Sequence, residues 1–155
     1  MQACQAGLHA LAAGAPILTD TAMAAAAVAP MARRSFGNRV ACLLDWAPEL
    51  APEGSTRSAA GMAAALAEGP PGVVLIGSAP TALEVLLEQG AAKPVLVIGM
   101  PVGFVGVAES KRHLAASGLA QIRLEGSKGG AGLVAAACNA LLRGAWLQAA
   151  RASPL

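Results

Sequence analysis

The sequence has few of the side chains on which many binding sites depend. Its 155 residues include no tyrosine, two phenylalanines and two tryptophans, and charged residues make up 13%, against the usual ~25%. So few aromatic rings cannot form the stacking platform that single-stranded nucleic acids need, and we expect no nucleic-acid partner. The low charge and an apolar fraction of 55% also exclude intrinsic disorder as the main state of the chain.

Cysteine and histidine are equally scarce. Cys4, Cys42 and Cys138 are widely spaced without a CxxC pair, and His9 and His113 do not cluster with acidic residues at metal-ligand spacing. We therefore expect free thiols in a reducing cytoplasm and no metal site. No basic segment precedes the alanine-rich start, which argues against a secretory signal peptide.

Long uninterrupted apolar runs are also missing. Glycine and proline divide apolar stretches such as 94–108, which therefore fall short of the ~18 to 20 residues of a membrane-spanning helix. We expect no membrane partner. The length instead suits one folded domain, 1–155, that buries roughly 70% of the surface of the unfolded chain.

Positive charge is concentrated late in the chain. Positions 1–110 hold five basic and eight acidic residues, whereas 111–155 hold six basic residues and Glu125 alone. This distribution favours a small anionic partner for the C-terminal third. The alternative is that these cations are solvated helix and loop faces.

Four short β-like segments, each followed by a segment of helical composition, set the organisation of the chain. The strands are predicted at 40–44, 73–76, 95–98 and 121–124. The helices are predicted at 57–67, 80–90, 108–117 and 131–149, with further helical segments at 2–13 and 20–29. Continuously apolar strands are typical of parallel sheets buried on both faces. The pattern therefore predicts an α/β domain with a mostly parallel sheet and helices on both faces.

The loops after these strands are rich in glycine, serine, threonine and proline. They are 54–58 (GSTRS), 77–81 (GSAPT), 99–106 (GMPVGFVG) and 125–132 (EGSKGGAG). Ligands of open α/β sheets bind at this edge, so we expect backbone nests for a carboxylate or phosphate. Arg57 opens a predicted helix, where its charge opposes the macrodipole; a ligand contact and a solvated side chain are the two interpretations.

Other catalytic and nucleotide motifs are incomplete. Gly130, Gly132 and Ala135 match GxGxxA after a predicted strand, but no acidic residue follows Glu125 to bind a ribose. No segment has the GxxxxGK[ST] frame of a P-loop. Both histidines lie in predicted helices rather than beside a nucleophile and an acid. A nucleotide-binding α/β protein therefore stays the weaker alternative.

Five segments of the chain resemble the precorrin isomerase family, also called precorrin-8X methylmutase or cobalt-precorrin-8 methylmutase. They are GAPILTD at 14–20, STRSAA at 55–60, GSAPTAL at 77–83, KPVLVIGMPVGFVGVAESK at 93–111 and SKGGAGLVAAACNAL at 127–141. The resemblance implies a Rossmann-like α/β homodimer that moves a methyl group from C-11 to C-12 of a corrinoid in cobalamin biosynthesis, without cofactor or metal. The substrate, precorrin-8X or cobalt-precorrin-8, carries many carboxylates.

The same resemblance implies which residues contact the substrate. They are Thr56, Arg57, Ser58, Ser78, Thr81, Pro101, Gly103, Phe104, Gly129 and Gly130. Two positions depart from the family, because Ser78 stands where it usually has asparagine and Ser127 where it usually has arginine.

The proton-transfer histidine of that family belongs to an HACG-like motif near its N-terminus. The resemblance places this motif upstream of Met1, and the surroundings of His9, GLHALAAG, do not match it. We therefore expect no catalytic residue within 1–155. Two functions stay open: a methylmutase with a shortened chain, and an inactive corrinoid-binding or partner module of the same family.

Overall fold

Short parallel strands alternate with helices in the computed structural model, which describes residues 1–90 and 93–152. The strands are β1 (Ile17–Thr19), β2 (Val40–Cys42), β3 (Val73–Ile76), β4 (Leu96–Gly99) and β5 (Gln121–Arg123). The helices are α1 (Gln2–Ala12), α2 (Ala22–Arg34), α3 (Arg57–Ala67), α4 (Pro80–Glu88), α5 (Val107–Ala116) and α6 (Ala131–Ala152), with a 3₁₀ helix at Leu43–Trp46.

The five strands form one parallel sheet in the order β2-β1-β3-β4-β5. The predicted α/β fold is confirmed, and all four predicted strands are present. Strand β1, which lies between β2 and β3 in the sheet, was not predicted, because its place depends on pairing with strands 23 and 56 positions further along the chain. Strand β2 also ends at Cys42 rather than at position 44, since the 3₁₀ helix begins at Leu43.

Helix α2 is longer than the predicted segment 20–29 and continues through Pro30 to Arg34. A proline inside a helix leaves the carbonyl four residues earlier, here that of Ala26, without its donor. Ala26 and Pro30 both lie on the exposed face of α2. Water can therefore replace the lost hydrogen bond, and the helix does not end.

The core consists of two apolar layers, one on each face of the sheet. Side chains of β3 alternate between them: Val73 and Leu75 pack in the layer below α1, α2 and α6, whereas Val74 and Ile76 pack below α3, α4 and α5. All four are fully buried, and each such side chain contributes roughly 1.5–3 kcal/mol. This double burial explains why the strand sequence shows no polar alternation.

Helix α6 is, by length and composition, apolar enough to cross a membrane, which the division of apolar runs by glycine and proline did not lead us to expect. Core helices of globular proteins share this property. One face of α6 packs against α1 and α2. Its buried side chains are Val134, Ala135, Cys138, Leu141, Leu142 and Ala145.

Candidate functional site

The four glycine-rich loops meet at the carboxyl edge of the sheet. Thr56 and Thr81 join the loops before α3 and α4, because their Oγ1 atoms lie 2.8 Å apart. The loops after β4 and β5 are joined by backbone bonds, from Gly103 N to Ser127 O at 3.1 Å and from Gly130 N to Met100 O at 2.9 Å. These bonds join the loops in two pairs, and the close approach of Gly77 to the backbone of Ala131 brings the pairs together into one surface.

Close packing between these loops requires glycine at two positions. A Cβ on Gly77, directly after β3, would lie 2.7 Å from the backbone N of Ala131 at the start of α6. A Cβ on Gly129 would overlap the carbonyl oxygen of Met100. The loops can approach each other this closely only because both positions lack a side chain.

Thr56 and Arg57 define the start of α3. Thr56 is the N-cap, and its Oγ1 accepts a hydrogen bond from Ala59 N at 3.0 Å. The exposed Arg57 donates from Nε to the carbonyl oxygen of Pro48 at 2.8 Å. Among the described residues this is the only bond of its guanidinium, so both Nη groups are available to an anionic ligand. Ser58 follows on the same turn and is half-buried.

A buried carboxylate holds the next loop. Asp20, directly after β1, is 1% exposed. Its oxygens accept hydrogen bonds from the backbone N–H groups of Gly77 at 3.0 Å, Ser78 at 2.6 Å and Ala79 at 2.8 Å. Burial raises the pKa of Asp20, and these backbone donors act in the opposite direction. The nest that we expected to face a ligand in loop 77–81 is thus filled by the protein itself.

Asp20 was not among the site residues predicted from the sequence. Two signals could have found it: it ends the family-like string at 14–20, and it is the only charged side chain before Arg33. The side chains of Ser78 and Thr81 are exposed beside the filled nest. They are the parts of this loop that can still contact a ligand.

The loop after β4 presents apolar groups to solvent. Phe104 is 95% exposed, Val105 is 90% exposed, and Val102 is half exposed. Pro101, in contrast, is buried, so it supports the loop from within. An apolar tip of this kind suits the flat face of a large organic ligand.

A second buried ion holds the loop after β5. Lys111, on α5, is 2% exposed and donates from Nζ to the carbonyl oxygens of Gly126 at 2.7 Å and Lys128 at 2.5 Å. Burial lowers the pKa of this amine. We expected an anionic partner for the C-terminal third, or else solvated cations; Lys111 fits neither, because its amine binds backbone carbonyls. Arg123 pairs with Glu125 at 3.6 Å.

Comparison with known proteins identifies the family. The family model described as precorrin-8X methylmutase matches residues 1–144. The chain belongs to the precorrin-8X methylmutase family. It is 49% identical over 144 residues to the precorrin-8X methylmutase of Pseudomonas aeruginosa, covering 88% of this chain and 69% of that protein.

A second relative and a solved structure support the same methylmutase family. It is 41% identical over 148 residues to the cobalt-precorrin-8 methylmutase of Synechocystis, covering 94% of this chain and 68% of the relative. The crystal structure of precorrin-8X methylmutase from Thermus thermophilus superimposes with a TM-score of 0.84 and 41% identity. That match covers 96% of this chain and 74% of the Thermus chain.

Neither His9 nor His113 lies at the loop surface of this methylmutase. The last turn of α1 holds His9, and the last turn of α5 holds His113. Because α1 leads into the start of β1, and α5 leads into the start of β5, both helices end towards the amino edge of the sheet. His113 there contacts the Glu84 carboxylate through Nδ1 at 2.9 Å.

A cavity of about 170 Å³ also lies at the amino edge. Its walls include Ile17, Arg39, Trp46 and Gly72, and none of the loop residues lines it. Pockets that enclose drug-sized ligands occupy ≈ 300–1,000 Å³. This cavity is therefore too small for a tetrapyrrole-derived substrate, and the open surface at the carboxyl edge remains the candidate site.

Proposed function

We propose that the chain serves the precorrin-8X methylmutase reaction, in which a methyl group moves from C-11 to C-12 of a corrinoid during cobalamin biosynthesis. The observation that carries this proposal is the connected loop surface, since the family-like strings meet at one edge of the sheet. The reaction is an isomerisation: one C–CH₃ bond breaks, another forms, and no atoms or electrons are gained or lost. The protein has to bind, orient and shield the substrate rather than supply a redox group.

The loop residues can divide this binding task by chemistry. Arg57 offers its Nη groups to a peripheral carboxylate of the substrate, as charge-assisted hydrogen bonds. Ser78 and Thr81, with Thr56 and Ser58, supply short polar side chains around it. Such contacts orient the substrate for the rearrangement.

The remaining walls consist of backbone and apolar groups. Phe104 covers part of the apolar macrocycle, while Gly129 and Gly130 let backbone approach the ligand closely. Gly103 and Pro101 shape the loop that carries Phe104. No cofactor or metal has a part in this scheme.

The proton-transfer group of the reaction belongs outside residues 1–155 in this proposal. Support comes from the two histidines, which lie in helix turns directed away from the loops, and from the buried Asp20, whose carboxylate is engaged by backbone donors. A general base commonly contributes ~10² to 10⁴ in rate and has to reach the transferred proton. We therefore expect slow turnover by this chain alone and faster turnover with the histidine-bearing segment added in trans.

We propose that the protein is cytoplasmic and forms a homodimer. Cys4, Cys42 and Cys138 are free thiols, which suits a reducing compartment. Light scattering of the purified chain checks the dimer, and a monomer at micromolar concentration would contradict it.

An absorbance titration with hydrogenobyrinate, a corrinoid polycarboxylate, tests binding separately from turnover. We expect a spectral shift at micromolar ligand that is lost in Arg57→Ala. The matched control is Arg34→Ala, because Arg34 lies in the last turn of α2 near the amino edge of the sheet. A parent chain that gives no shift would refute the proposed function. If the chain binds but does not turn over the substrate, either alone or with the histidine-bearing segment added in trans, it is an inactive binding module.

A further inference from the structure

The buried carboxylate of Asp20 organises the surface on which the substrate binds. We propose that Asp20 is a positioning residue of the binding site, which sets the loop 77–81 and, through it, the loop that carries Arg57. This inference rests on the proposed function. Asp20 does not itself touch the ligand in this scheme, since it is 1% exposed.

The geometry around Asp20 requires an acceptor without hydrogens. Three consecutive N–H groups, those of Gly77, Ser78 and Ala79, point at its two oxygens. An ionised carboxylate is acceptor-only, whereas an amide of the same shape would turn an NH₂ group towards at least one of these donors. The loop can keep its conformation only while residue 20 accepts all three bonds.

A chain of contacts leads from this carboxylate to Arg57. The anchored residues 77–79 lead directly into the first turn of α4, where Thr81 contacts Thr56 at 2.8 Å. Thr56 is the N-cap of α3, and Arg57 is the first residue of that helix. Any shift of loop 77–81 therefore reaches both Thr81 and the start of α3.

Burial of the Asp20 carboxylate has a cost in stability. The pKa of Asp20 is raised because desolvation outweighs the hydrogen bonds that it accepts. An apolar residue at position 20 would avoid that cost, which supports a positional role for the charge.

Hydrogenobyrinate titration of Asp20→Asn tests the inference, with Asp45→Asn as the matched control, since Asp45 is exposed. We expect the Kd to rise about tenfold or more in Asp20→Asn and to stay within about twofold of the parent in Asp45→Asn. The decisive comparison repeats Asp20→Asn in a Ser78→Ala, Thr81→Ala background. If Asp20 acts by positioning these side chains, its substitution adds less than about threefold there, whereas general destabilisation would add the full factor.

The outcomes separate this inference from the proposed function. A parent chain that does not bind hydrogenobyrinate refutes the proposed function and the inference with it. A parent chain that binds, with Asp20→Asn binding equally well or with fully additive effects in the combined variant, refutes the inference alone. Should Asp20→Asn fail to fold, Ala79→Pro replaces it: this substitution keeps the carboxylate, deletes one of the three donors and moves φ of residue 79 from −105° towards about −65°, so it also displaces the loop. The same tenfold loss is expected.

Discussion

The hydroxyl oxygens of Thr56 and Thr81 lie 2.8 Å apart, although 25 positions separate the two residues in the chain. Each belongs to the first turn or cap of a different helix, so the contact couples the starts of α3 and α4. Because Thr56 also caps α3 by accepting from Ala59 N, one hydroxyl serves a helix end and a loop junction together.

Substitution of Thr56 separates these two roles. Thr56→Ala removes the cap and the junction, and we expect the free energy of unfolding to fall by about 1 kcal/mol, as is typical for a lost N-cap. Thr56→Ser keeps both contacts and stays close to the parent, whereas Thr81→Ala loses only the junction. Urea unfolding followed by circular dichroism measures all three. Equal stability of the alanine variant and the parent would show that the cap is not formed.

Lys111 is predicted to be structural. Lys111→Met removes the hydrogen bonds to the carbonyl oxygens of Gly126 and Lys128, and a hydrogen bond of a charged group contributes ≈ 1.5–3 kcal/mol. The matched control is Lys93→Met, since Lys93 is exposed, and we expect a change within about 0.5 kcal/mol there. Thermal unfolding checks the pair. Equal melting temperatures for both variants would contradict the role of Lys111.

The raised pKa of Asp20 predicts a pH dependence of stability. In the window between its unfolded value, near 3.8, and its higher folded value, the native state binds more protons than the unfolded state. The contribution of Asp20 to the free energy of unfolding is therefore fully present below that window and is lost as the pH rises through it. Urea unfolding from pH 3.5 to 7 should show the parent losing stability relative to Asp20→Asn, and a constant difference would contradict the assignment.

Phe104 offers a test that leaves the fold intact. Because its side chain is 95% exposed, Phe104→Ser should change the melting temperature little, yet weaken hydrogenobyrinate binding several-fold by removing the apolar tip. Leu147→Ser is the control, since Leu147 is also a partly exposed apolar residue, about 24 Å along α6 from its start. Unchanged affinity in Phe104→Ser would remove this residue from the binding surface.

Much of the fold could be predicted because its signals are local. The apolar runs at 73–76 and 95–98 mark buried strands, and Thr56, Pro80 and the glycine-rich loops mark where helices begin. The family-like strings likewise identify the loops that form the candidate site. Strand β1 was missed because pairing with the distant strands β2 and β3, and no local pattern, makes it a strand. The helix predicted at 20–29 continues to Arg34, because the carbonyl that Pro30 leaves without a donor is exposed.

The sequence by itself determined four of the five strands and the helices around them, the loops that carry the site and the family. Only the tertiary structure decided where β1 lies in the sheet, that Asp20 fills the nest of loop 77–81, and that Lys111 is buried rather than offered to an anion. The physical reason is distance along the chain. A carboxylate finds its donors 57 to 59 positions away, and an amine its acceptors 15 to 17 positions away, and no local pattern records which backbone groups a buried ion will meet.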